Sequence, residues 1–557
     1  MRSSISALGG VLAIGFAFAI VINSTAARTQ GPVEPLTFAA TEARDLDHTV
    51  NVVRELEREG ALQLVDLTSD PLAPRRTHRR FVQLHRNVRV LGGGVTVQTD
   101  LGLTTSIFGQ IYPNVTIATD PELTEPEAIA LADRPDRTLM STPELVIAHD
   151  AFRDVHRLVY HVQTFGMNGL ILSEIDAITG EVVSEKNVLA TQGLPSFCQD
   201  CAVGEGVGVK GDRKKLSTRS GNGAFLADDR LRPSRVSTYD MRGDWDHTFD
   251  VLVGLAPLTD ADLARDTDNV WQDGVSVDGH TGSGWTLDYL YHRFGREGLD
   301  GNRSPTVAIV HPVDRADFFT VPSSVSSLFH LNAFFCGSCG TSGIVVFGEG
   351  LPPGQTLAGT GQALDFFAAG LDIIAHELGH AITEFTSQLV YQDESGALSE
   401  AFSDLIGVGT EFFMAETGRH PPEQADYLIG EDVIKPGGVR SLANPLSRGD
   451  PDHYSLRFLG AFDNGGVHTN STIATHAYYL AVEGGTNVTS GVRVAALGAK
   501  NRALVDQIFY RAFVFLLPEN ATFSMARAAT LQSARDLVAG TAVEQTIATA
   551  WTAVGVE

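Results

Sequence analysis

Residues 372–380 read Asp-Ile-Ile-Ala-His-Glu-Leu-Gly-His, and they carry the strongest chemical signal in this sequence. His376 and His380 are four residues apart, so on a helix they share one face, one turn apart. Two imidazoles in this position can bind one Zn²⁺ at about 2.0–2.1 Å. Glu377, beside the first histidine, can act as a general base toward an attacking water. The pattern predicts a hydrolytic zinc site; the alternative is a helix with two ordinary histidines.

A third metal ligand is expected further along the chain, because a catalytic zinc uses three protein ligands and keeps one position open. Residues 395–404 read Ser-Gly-Ala-Leu-Ser-Glu-Ala-Phe-Ser-Asp, which places Glu400 and Asp404 on one helical face. One carboxylate can ligate the metal while the other accepts the free N–H of a ligating histidine. Gly379, inside the first motif, weakens a helix slightly and indicates close packing there.

Together these motifs resemble the thermolysin family of zinc neutral endopeptidases, and the similarity runs from about Gly204 to Glu557. The resemblance implies one catalytic zinc held by three residues, His376, His380 and Glu400. It implies that Glu377 is the general base and that Asp404 holds a zinc-binding histidine through a hydrogen bond. The implied fold is α+β, with a β-rich N-terminal lobe, a mainly helical C-terminal lobe and the zinc helix between them.

Further matches to the family lie outside these two segments. The sequence Asp463-Asn-Gly-Gly-Val-His468 resembles its Asp–His pair, in which the histidine donates to the developing oxyanion and the aspartate holds the ring. Tyr391 matches its second oxyanion donor. The resemblance also implies three substrate-binding residues: Asn332 and Ala333 on an edge strand that pairs with the substrate backbone, and Arg440 at a substrate carbonyl oxygen.

A calcium site is also expected from the resemblance, because hard oxygen ligands from separated segments suit Ca²⁺. The matching carboxylates are Asp372, Glu411, Asp426 and Glu431. Where members with two calcium ions carry another glutamate, this chain has Leu428, which offers only its backbone carbonyl. We therefore expect one Ca²⁺ rather than two. The alternative is four ordinary surface acids.

The substrate preference can be anticipated from the same resemblance. Family members favour bulky hydrophobic residues just after the scissile bond, in the P1′ position. Ile373, Ile429 and Val439 would keep the corresponding pocket apolar. We expect an endopeptidase that hydrolyses internal bonds of proteins and peptides.

The N-terminus has the features of an export signal. Met1-Arg2 provides a basic start, an apolar run follows from Ala7 to about Ile22, and small residues near Ala27 offer a cleavage site. A signal peptide over residues 1–27 and a secreted, extracellular protein without a membrane anchor are predicted. The alternative is an uncleaved anchor, although the run is short for a spanning helix.

The four cysteines form two Cys-x-x-Cys pairs, Cys198 with Cys201 and Cys336 with Cys339. Export favours disulfide bonds, with three connectivities possible. A zinc site built from four thiolates, or free redox thiols, are the alternatives. The second pair follows the predicted substrate-binding edge, so it could brace that edge or link it to the first pair.

Residues 28–196 differ in character from the rest. Arg79 to Val97 alternates apolar and polar residues around a glycine triplet, which indicates a hairpin. Residues 28–118 resemble the propeptide module of fungalysin and thermolysin precursors, and residues 119–196 resemble the PepSY module that often follows it. Such modules chaperone folding and inhibit the protease until removed. Residues 197–370 and 371–557 are then the two catalytic lobes, and a permanent N-terminal domain is the alternative.

The overall charge limits which classes of molecule the protein can bind. There are 41 Lys and Arg against 67 Asp and Glu, a formal charge of −26, which argues against a nucleic-acid partner. A monomer acting on protein substrates and inhibited by its own propeptide is expected. Two rival functions remain open at this point: an aminopeptidase of a related zinc class, and a secreted non-catalytic binder with a permanently docked prodomain.

Overall fold

A computed structural model of the chain describes residues 35–41, 43–134, 137–150, 155–166, 169–187, 200–221, 223–340, 343–421, 425–538 and 540–557. The predicted signal peptide, Cys198 and the junction before residue 200 lie outside these residues. No helix in the described part of the chain is both long and apolar enough to span a bilayer. Three regions follow one another: an N-terminal region (residues 35–187), a β-rich lobe (residues 200–370) and a helical lobe (residues 371–557).

The N-terminal region is built on one large sheet flanked by two helices. Its elements are β1 Leu36–Ala40, α1 Ala43–Arg58, β2 Leu62–Ser69, β3 Arg76–His85, β4 Val88–Asp100, β5 Leu103–Ile111, α2 Glu125–Ala132, β6 Arg137–Leu139, β7 Glu144–Asp150, β8 Val155–Gly166, β9 Gly169–Asp176 and β10 Val182–Asn187. Its ten strands form one sheet with the main order β1-β5-β4-β7-β8-β9-β10. The parallel pair β4–β7 joins the two predicted propeptide modules in this single sheet.

The hairpin predicted around the glycine triplet is present, but its turn lies elsewhere. β3 and β4 pair antiparallel, and the chain reverses at Arg86 and Asn87, whose φ angles are 50° and 67°. The glycines lie inside β4 at a register shift. A Cβ at Gly93 would meet the Gln83 side chain at 2.4 Å, so the glycine is needed there for close approach rather than for the turn.

The β-rich lobe carries two five-stranded sheets and a long central helix. Its elements are β11 Cys201–Val207, β12 Arg213–Gly221, β13 Ala224–Leu226, β14 Asp228–Asp229, β15 Val236–Asp240, α3 Trp245–Leu252, β16 Arg265–Asp266, β17 Val270–Trp271, α4 Gly274–Phe294, β18 Thr306–Val310, α5 Ser323–Phe329, β19 Ala333–Cys336, β20 Ile344–Phe347 and β21 Ala363–Leu364. The second sheet has the order β14-β15-β18-β20-β19, which leaves β19 at its edge.

The helical lobe contains the remaining helices and a few short strands. Its elements are α6 Leu371–Glu384, α7 Asp393–Glu416, β22 Leu428–Ile429, β23 Ile434–Lys435, β24 Arg440–Ser441, α8 Asp463–Glu483, β25 Gly485–Thr486, β26 Arg493–Val494, α9 Arg502–Arg511, α10 Phe523–Leu537 and α11 Thr541–Ala553. The predicted α+β fold, with a β-rich lobe followed by a helical one, is confirmed.

The two helices that carry the zinc motifs, α6 and α7, pack closely against each other. A Cβ at Gly379 of α6 would lie 2.8 Å from the Cα of Ser403 on α7. No side chain fits into that gap, which confirms the close packing predicted for this glycine. The contact brings the His-containing face of α6 against the carboxylate face of α7.

The N-terminal region packs into the cores of both lobes. Phe108 of β5 is fully buried in the main core cluster, which spans the helical and β-rich lobes, and Leu72 packs against the same cluster. Phe165 and Leu170, at the tip of the β8–β9 hairpin, are buried in a core cluster of the β-rich lobe. The N-terminal region is therefore anchored on both lobes.

The cysteine pairing is local. Cys336 and Cys339 form a disulfide with each other, and Cys201 is also disulfide-bonded. The Cys336–Cys339 bond excludes the two connectivities that would link this pair to Cys198 or Cys201. It also excludes a zinc site built from all four thiolates.

Candidate active site

The helix pair α6–α7 brings the three predicted zinc ligands together. His376 Nε2 lies 3.2 Å from His380 Nε2 and 3.5 Å from Glu400 Oε2. His380 Nε2 lies 3.2 Å from Glu400 Oε1. Glu400 is fully buried, and its Oε2 has no hydrogen-bond partner in the described structure. Two imidazole nitrogens thus face the two oxygens of one buried carboxylate, close enough together to hold a metal ion.

These separations match tetrahedral zinc. With bonds of about 2.0–2.1 Å, neighbouring ligands of a tetrahedral ion lie about 3.3–3.4 Å apart. The two Nε2 atoms lie 3.2 Å apart, and each lies 3.2–3.5 Å from one of the two Glu400 oxygens, which is close to that value. Two nitrogens and one carboxylate are also a donor set typical of catalytic zinc. The residues present therefore fit the ion.

Behind the ligands, a buried chain of hydrogen bonds fixes their orientation. Asp404 Oδ1 lies 2.9 Å from His376 Nδ1, as predicted for the carboxylate that holds a ligating histidine. Arg440 donates to both oxygens of Asp404, at 2.8 Å from Nε and 2.7 Å from Nη2. A proton of His376 is thereby held on Nδ1, so that Nε2 faces the metal position, where a metal would replace its proton.

The electrostatics of this chain keep both carboxylates charged. Burial alone would raise the pKa of Glu400, but His468 and His380 hold that pKa well below its ordinary value. Burial is likewise outweighed at Asp404, whose pKa is lowered by Arg440 and His376. Burial opposes charge on His376, yet hydrogen bonds to Asp404 and Glu400 raise the pKa of His376 to about 10. The site is built to hold a positive charge among anionic groups.

The two predicted oxyanion donors face the ligands from the opposite side. The Tyr391 hydroxyl donates to Glu400 Oε1 and lies 3.3 Å from His468 Nε2. His468 Nδ1 lies 2.7 Å from Asp463 Oδ1, and the His468 backbone N–H donates to Asp463 Oδ2 at 3.0 Å. Burial alone would lower the pKa of His468. The charge of Glu400 and the hydrogen bond to Asp463 outweigh burial, so the pKa of His468 is raised above its ordinary value.

The start of α8 explains why this pair has the sequence it has. Asp463, Asn464, Gly465 and Gly466 all have positive φ angles, between 47° and 91°. Aspartate, asparagine and glycine are the residues that adopt this left-handed conformation most readily. The resulting turn brings the Asp463 carboxylate back onto the His468 ring, which stays partly exposed.

Most of the predicted site residues line a single cavity of about 1540 Å³ between the lobes and the N-terminal region. It is lined by His376, Glu377, His380, Tyr391, Glu400, Asp463 and His468, together with Asn332 and Ala333 at the edge strand β19. From the N-terminal region, Arg89, His161, Glu174 and Lys186 face the same space. The catalytic face is thus roofed by the N-terminal region.

Arg440 and the predicted apolar pocket lie outside this cavity lining. Arg440 is buried behind the ligands against Asp404, so its contact with a substrate carbonyl stays a prediction. Ile373 and Val439 approach each other around Gly430, next to the buried Ile429. The three apolar residues therefore lie close together, as a shared pocket requires.

A second cluster, which we call the acid cluster, lies at the other end of the same helices. Single carboxylate oxygens of Glu411, Glu431 and Asp432 lie within 4.8 Å of one another. The Gly430 N–H donates to Asp372, and the Leu428 N–H donates to Asp426 at 2.6 Å. Both oxygens of Glu411 are buried without a hydrogen-bond partner. The all-oxygen donor set fits Ca²⁺.

The acid cluster carries charges that oppose one another. Burial, followed by the charges of Asp372 and Glu431, raises the pKa of Glu411 well above its ordinary value. Burial and Asp372 likewise raise the pKa of Glu431 to about 9. A cation at this position would relieve both effects.

Two residues at this cluster, one acid and one lysine, were not identified from the sequence. Asp432 directly follows the predicted Glu431, and that adjacency could have identified it. Lys210, whose ammonium contacts Asp432, comes from the β-rich lobe. Nothing in its spacing signals the contact, because it depends on how the lobes pack.

The catalytic lobes match known protein families over nearly their full length. Residues 203–384 match the model described as thermolysin metallopeptidase, catalytic domain, and residues 387–556 match thermolysin metallopeptidase, alpha-helical domain. The chain is 34% identical to thermolysin of Bacillus sp. (strain EA1) over 525 residues, covering 89% of this chain and 86% of the relative. It is 33% identical to bacillolysin of Brevibacillus brevis over 504 residues, covering 86% of this chain and 82% of the relative.

Proposed function

The chain belongs to the thermolysin family of metallopeptidases, and from that premise we propose that it is a secreted zinc endopeptidase made as an inactive precursor. The single observation that carries the proposal is the convergence of His376, His380 and Glu400 at tetrahedral zinc separations. Glu377 of α6, Tyr391 between α6 and α7, and His468 of α8 line the same cavity and are available as a base and two proton donors.

Zinc would be held by the three converging side chains. When bound, it lowers the pKa of a water and polarises a scissile carbonyl. Asp404 keeps the His376 proton on Nδ1, and Arg440 holds Asp404 with two hydrogen bonds. The ligands are in this way oriented before substrate arrives, which lowers the cost of reaching the reactive geometry.

Glu377 is the proposed general base. It follows His376 directly on α6, and it lines the cavity that the ligands face. In this position its carboxylate accepts a proton from the attacking water and later passes that proton to the leaving amine. Its role is distinct from that of Glu400, whose oxygens point at the two histidines.

His468 and Tyr391 are the proposed donors to the oxyanion. Their donor atoms lie 3.3 Å apart on one side of the cavity. Asp463 acts through His468, because its carboxylate holds the ring and favours the charged form. Each such donor is typically worth about 2.7–4 kcal/mol of transition-state stabilisation.

Substrate is expected to be a protein segment that lies extended along β19, the free edge of the second sheet. Asn332 and Ala333 would pair with its backbone. Ile373, Ile429 and Val439 would form an apolar pocket for a bulky side chain after the scissile bond. A cleavage profile with acidic or basic preference at P1′ would contradict this pocket.

The N-terminal region is proposed to be the inhibitory propeptide, released when the protease is activated. Its side chains roof the cavity, and its core residues pack into both lobes. The predicted export signal and the disulfides are consistent with secretion. One Ca²⁺ at the acid cluster is proposed to stabilise the helical lobe.

The test is expression of the full chain and of Glu377→Gln, followed by casein hydrolysis, metal analysis and N-terminal sequencing. The proposal predicts that the wild type loses its first ~190–205 residues and cuts casein internally, because self-processing and hydrolysis use the same base. Glu377→Gln should bind zinc but neither process nor cut. Release of single N-terminal residues instead of internal fragments would indicate an aminopeptidase. Zinc binding by both forms without any cleavage would indicate a binder.

A further inference from the structure

Arg511 lies at the end of α9 in the helical lobe, and its charged side chain is fully buried. Its Nε donates to Asp70 of the N-terminal region at 2.7 Å, and its Nη2 donates to Gln98 of β4. Its Nη1 lies 2.8 Å from Asp536, on α10 of its own lobe. Two of its three partners therefore belong to the part of the chain that the proposed function removes.

The charges at this contact are reciprocal. The N-terminal region contributes Asp70 and Arg76, and the helical lobe contributes Arg511 and Asp536. Arg511 pairs with Asp70 at 2.7 Å, and Arg76 pairs with Asp536 at 3.1 Å. Both ion pairs cross the boundary, and the four charges sum to zero. Removing one member of a buried group of this kind is strongly destabilising while the group stays buried.

Further contacts join the N-terminal region to the segment that follows Arg511. His78, which is hydrogen-bonded to Asp70 at 3.2 Å, stacks on Phe515 with ring centroids 5.1 Å apart. Arg80 donates to the backbone carbonyls of Val514 and Leu517. Residues Ala512–Leu516 form a π-helix, and Val514 and Leu517 lie at its C-terminal end, where carbonyls lack partners within a helix.

We propose that this surface of the helical lobe, the Arg511 site, is where the catalytic part recognises its own N-terminal region, with Asp70 as the matching anchor. The inference rests on the proposed function for its biological meaning, since a removable propeptide needs a specific contact. The site is separate from catalysis: Arg511, Asp70, Arg76 and Asp536 do not line the zinc cavity. Recognition and blocking of the cleft are thus carried by different residues.

Recognition by charge would also discriminate against an N-terminal region that lacks these charged residues. A sheet lacking a carboxylate at the Asp70 position would leave Arg511 buried with one counter-charge. Losing one member of a buried ion pair costs far more than losing an exposed pair. The Arg511 site therefore selects a β-sheet that presents a buried acid and, beside it, a basic residue.

The experiment uses the full chain in a Glu377→Gln background, so that neither cleavage nor activity affects the result. Asp70→Asn is the decisive variant. Its Oδ1 can still accept from the N–H groups of Leu72 and Ala73, as Asp70 does at 3.0 and 3.1 Å, so the local turn is kept. Its amide NH₂ would face Arg511, donor against donor. The readout is hydrogen–deuterium exchange of residues 512–518.

We expect exchange of this segment to become about 100-fold faster in Asp70→Asn, with strands β3 and β4 affected and helices α6 and α7 unchanged. Glu57→Gln is the matched control, because Glu57 pairs with Arg79 inside the N-terminal region at 2.8 Å. That control should leave residues 512–518 unchanged. Unchanged exchange in Asp70→Asn would overturn the proposal. Equal loss of protection throughout α6 and α7 would also overturn it, because Asp70 would then support the whole fold.

If Asp70→Asn does not fold, Arg76→Gln decides, because Arg76 is partly exposed and its loss is milder. Faster exchange at residues 512–518 supports the Arg511 site, and unchanged exchange rejects it. Neither result depends on zinc or on casein hydrolysis. Failure of the proposed function would instead appear as an uncut, inactive wild type with an intact Arg511 site.

Discussion

Two clusters of side chains that could each hold a metal ion lie at helices α6 and α7, and the clusters differ in how their charges are balanced. At the zinc ligands, every carboxylate has a positive or proton-donating partner, and the pKa values of Glu400 and Asp404 are lowered. In the acid cluster, carboxylates face one another, and the pKa values of Glu411 and Glu431 are raised. The first site is preorganised by the protein; in the second, a bound cation would relieve the repulsion between carboxylates.

The difference assigns chemistry to one cluster and stability to the other. Mixed nitrogen and oxygen ligands with an adjacent cavity suit a catalytic ion. A donor set made only of oxygens suits a structural Ca²⁺. Changes at the zinc cluster should therefore alter turnover with little effect on folding, whereas changes at the acid cluster should do the opposite.

The largest effect is expected for Glu377→Gln, because it removes the general base. Casein hydrolysis should fall by about 10⁴-fold, while zinc content and thermal unfolding stay as in the wild type. Glu416→Gln, the same isosteric change at the exposed end of α7, is the control and should keep full activity. A variant that loses zinc along with activity would contradict the separation of base from ligands.

A smaller loss is expected for His468→Gln, because only one oxyanion donor is removed. kcat should fall by about 10²–10³-fold, with KM much less affected. Asp463→Asn should act in the same direction more weakly, since it works through the His468 ring. Steady-state kinetics on a peptide substrate measures both. Unchanged kcat in His468→Gln would remove this residue from the site.

Glu411→Gln tests the structural role proposed for the acid cluster. Calcium present at about 100 times its Kd raises the free energy of unfolding by about 2.7 kcal/mol. For a lobe of this size, that corresponds to roughly 5–10 °C in apparent Tm. The variant should lose that increment and become insensitive to added Ca²⁺, while initial rates at low temperature are retained. The check is thermal unfolding with and without a calcium chelator. A wild type that chelation does not affect would show that no calcium acts here.

The smallest effect concerns pH in the calcium-free protein. The folded pKa of Glu431 is about 9 and that of Asp372 about 6, above their ordinary values of 4.5 and 3.8. The folded state then binds more protons than the unfolded state, so stability falls as pH rises from about 4 to about 9. Glu431→Gln should reduce this fall in apparent Tm by about 2–4 °C.

The zinc-side carboxylates have the opposite sign, because their folded pKa values are lowered. Their contribution is present above pH 4–5 and is lost as the pH falls further. Thermal scans of the metal-free precursor across a range of pH should therefore show a lower apparent Tm at both acidic and alkaline pH. Stability that rises from neutral to alkaline pH without calcium would contradict the charge arrangement of the acid cluster.

Short spacings in the sequence predicted most of the zinc site. His376 with His380, and Glu400 with Asp404, are each one helical turn apart, so helix geometry alone brings each pair onto one face. Gly379 correctly indicated the close packing of α6 on α7. The α+β class and the order of the lobes followed from the same motifs through the family resemblance.

Contacts made across the fold could not be predicted in this way. Lys210 in the acid cluster and Asp70 at Arg511 come from regions far away in sequence, and no spacing rule connects them. The glycine triplet of β4 was taken as part of a hairpin, but its role at the register shift depends on the Gln83 side chain of the facing strand. Such features arise from packing, so they need a structure.

The most direct test of the comparison is a crystal structure of Glu377→Gln grown with Zn²⁺ and Ca²⁺, with anomalous data collected above and below the zinc edge. One zinc peak is expected among His376, His380 and Glu400. Density without a zinc edge signal is also expected among Glu411, Glu431 and Asp432. Zinc at the acid cluster, or no zinc at the histidines, would contradict the division between a catalytic and a structural metal site.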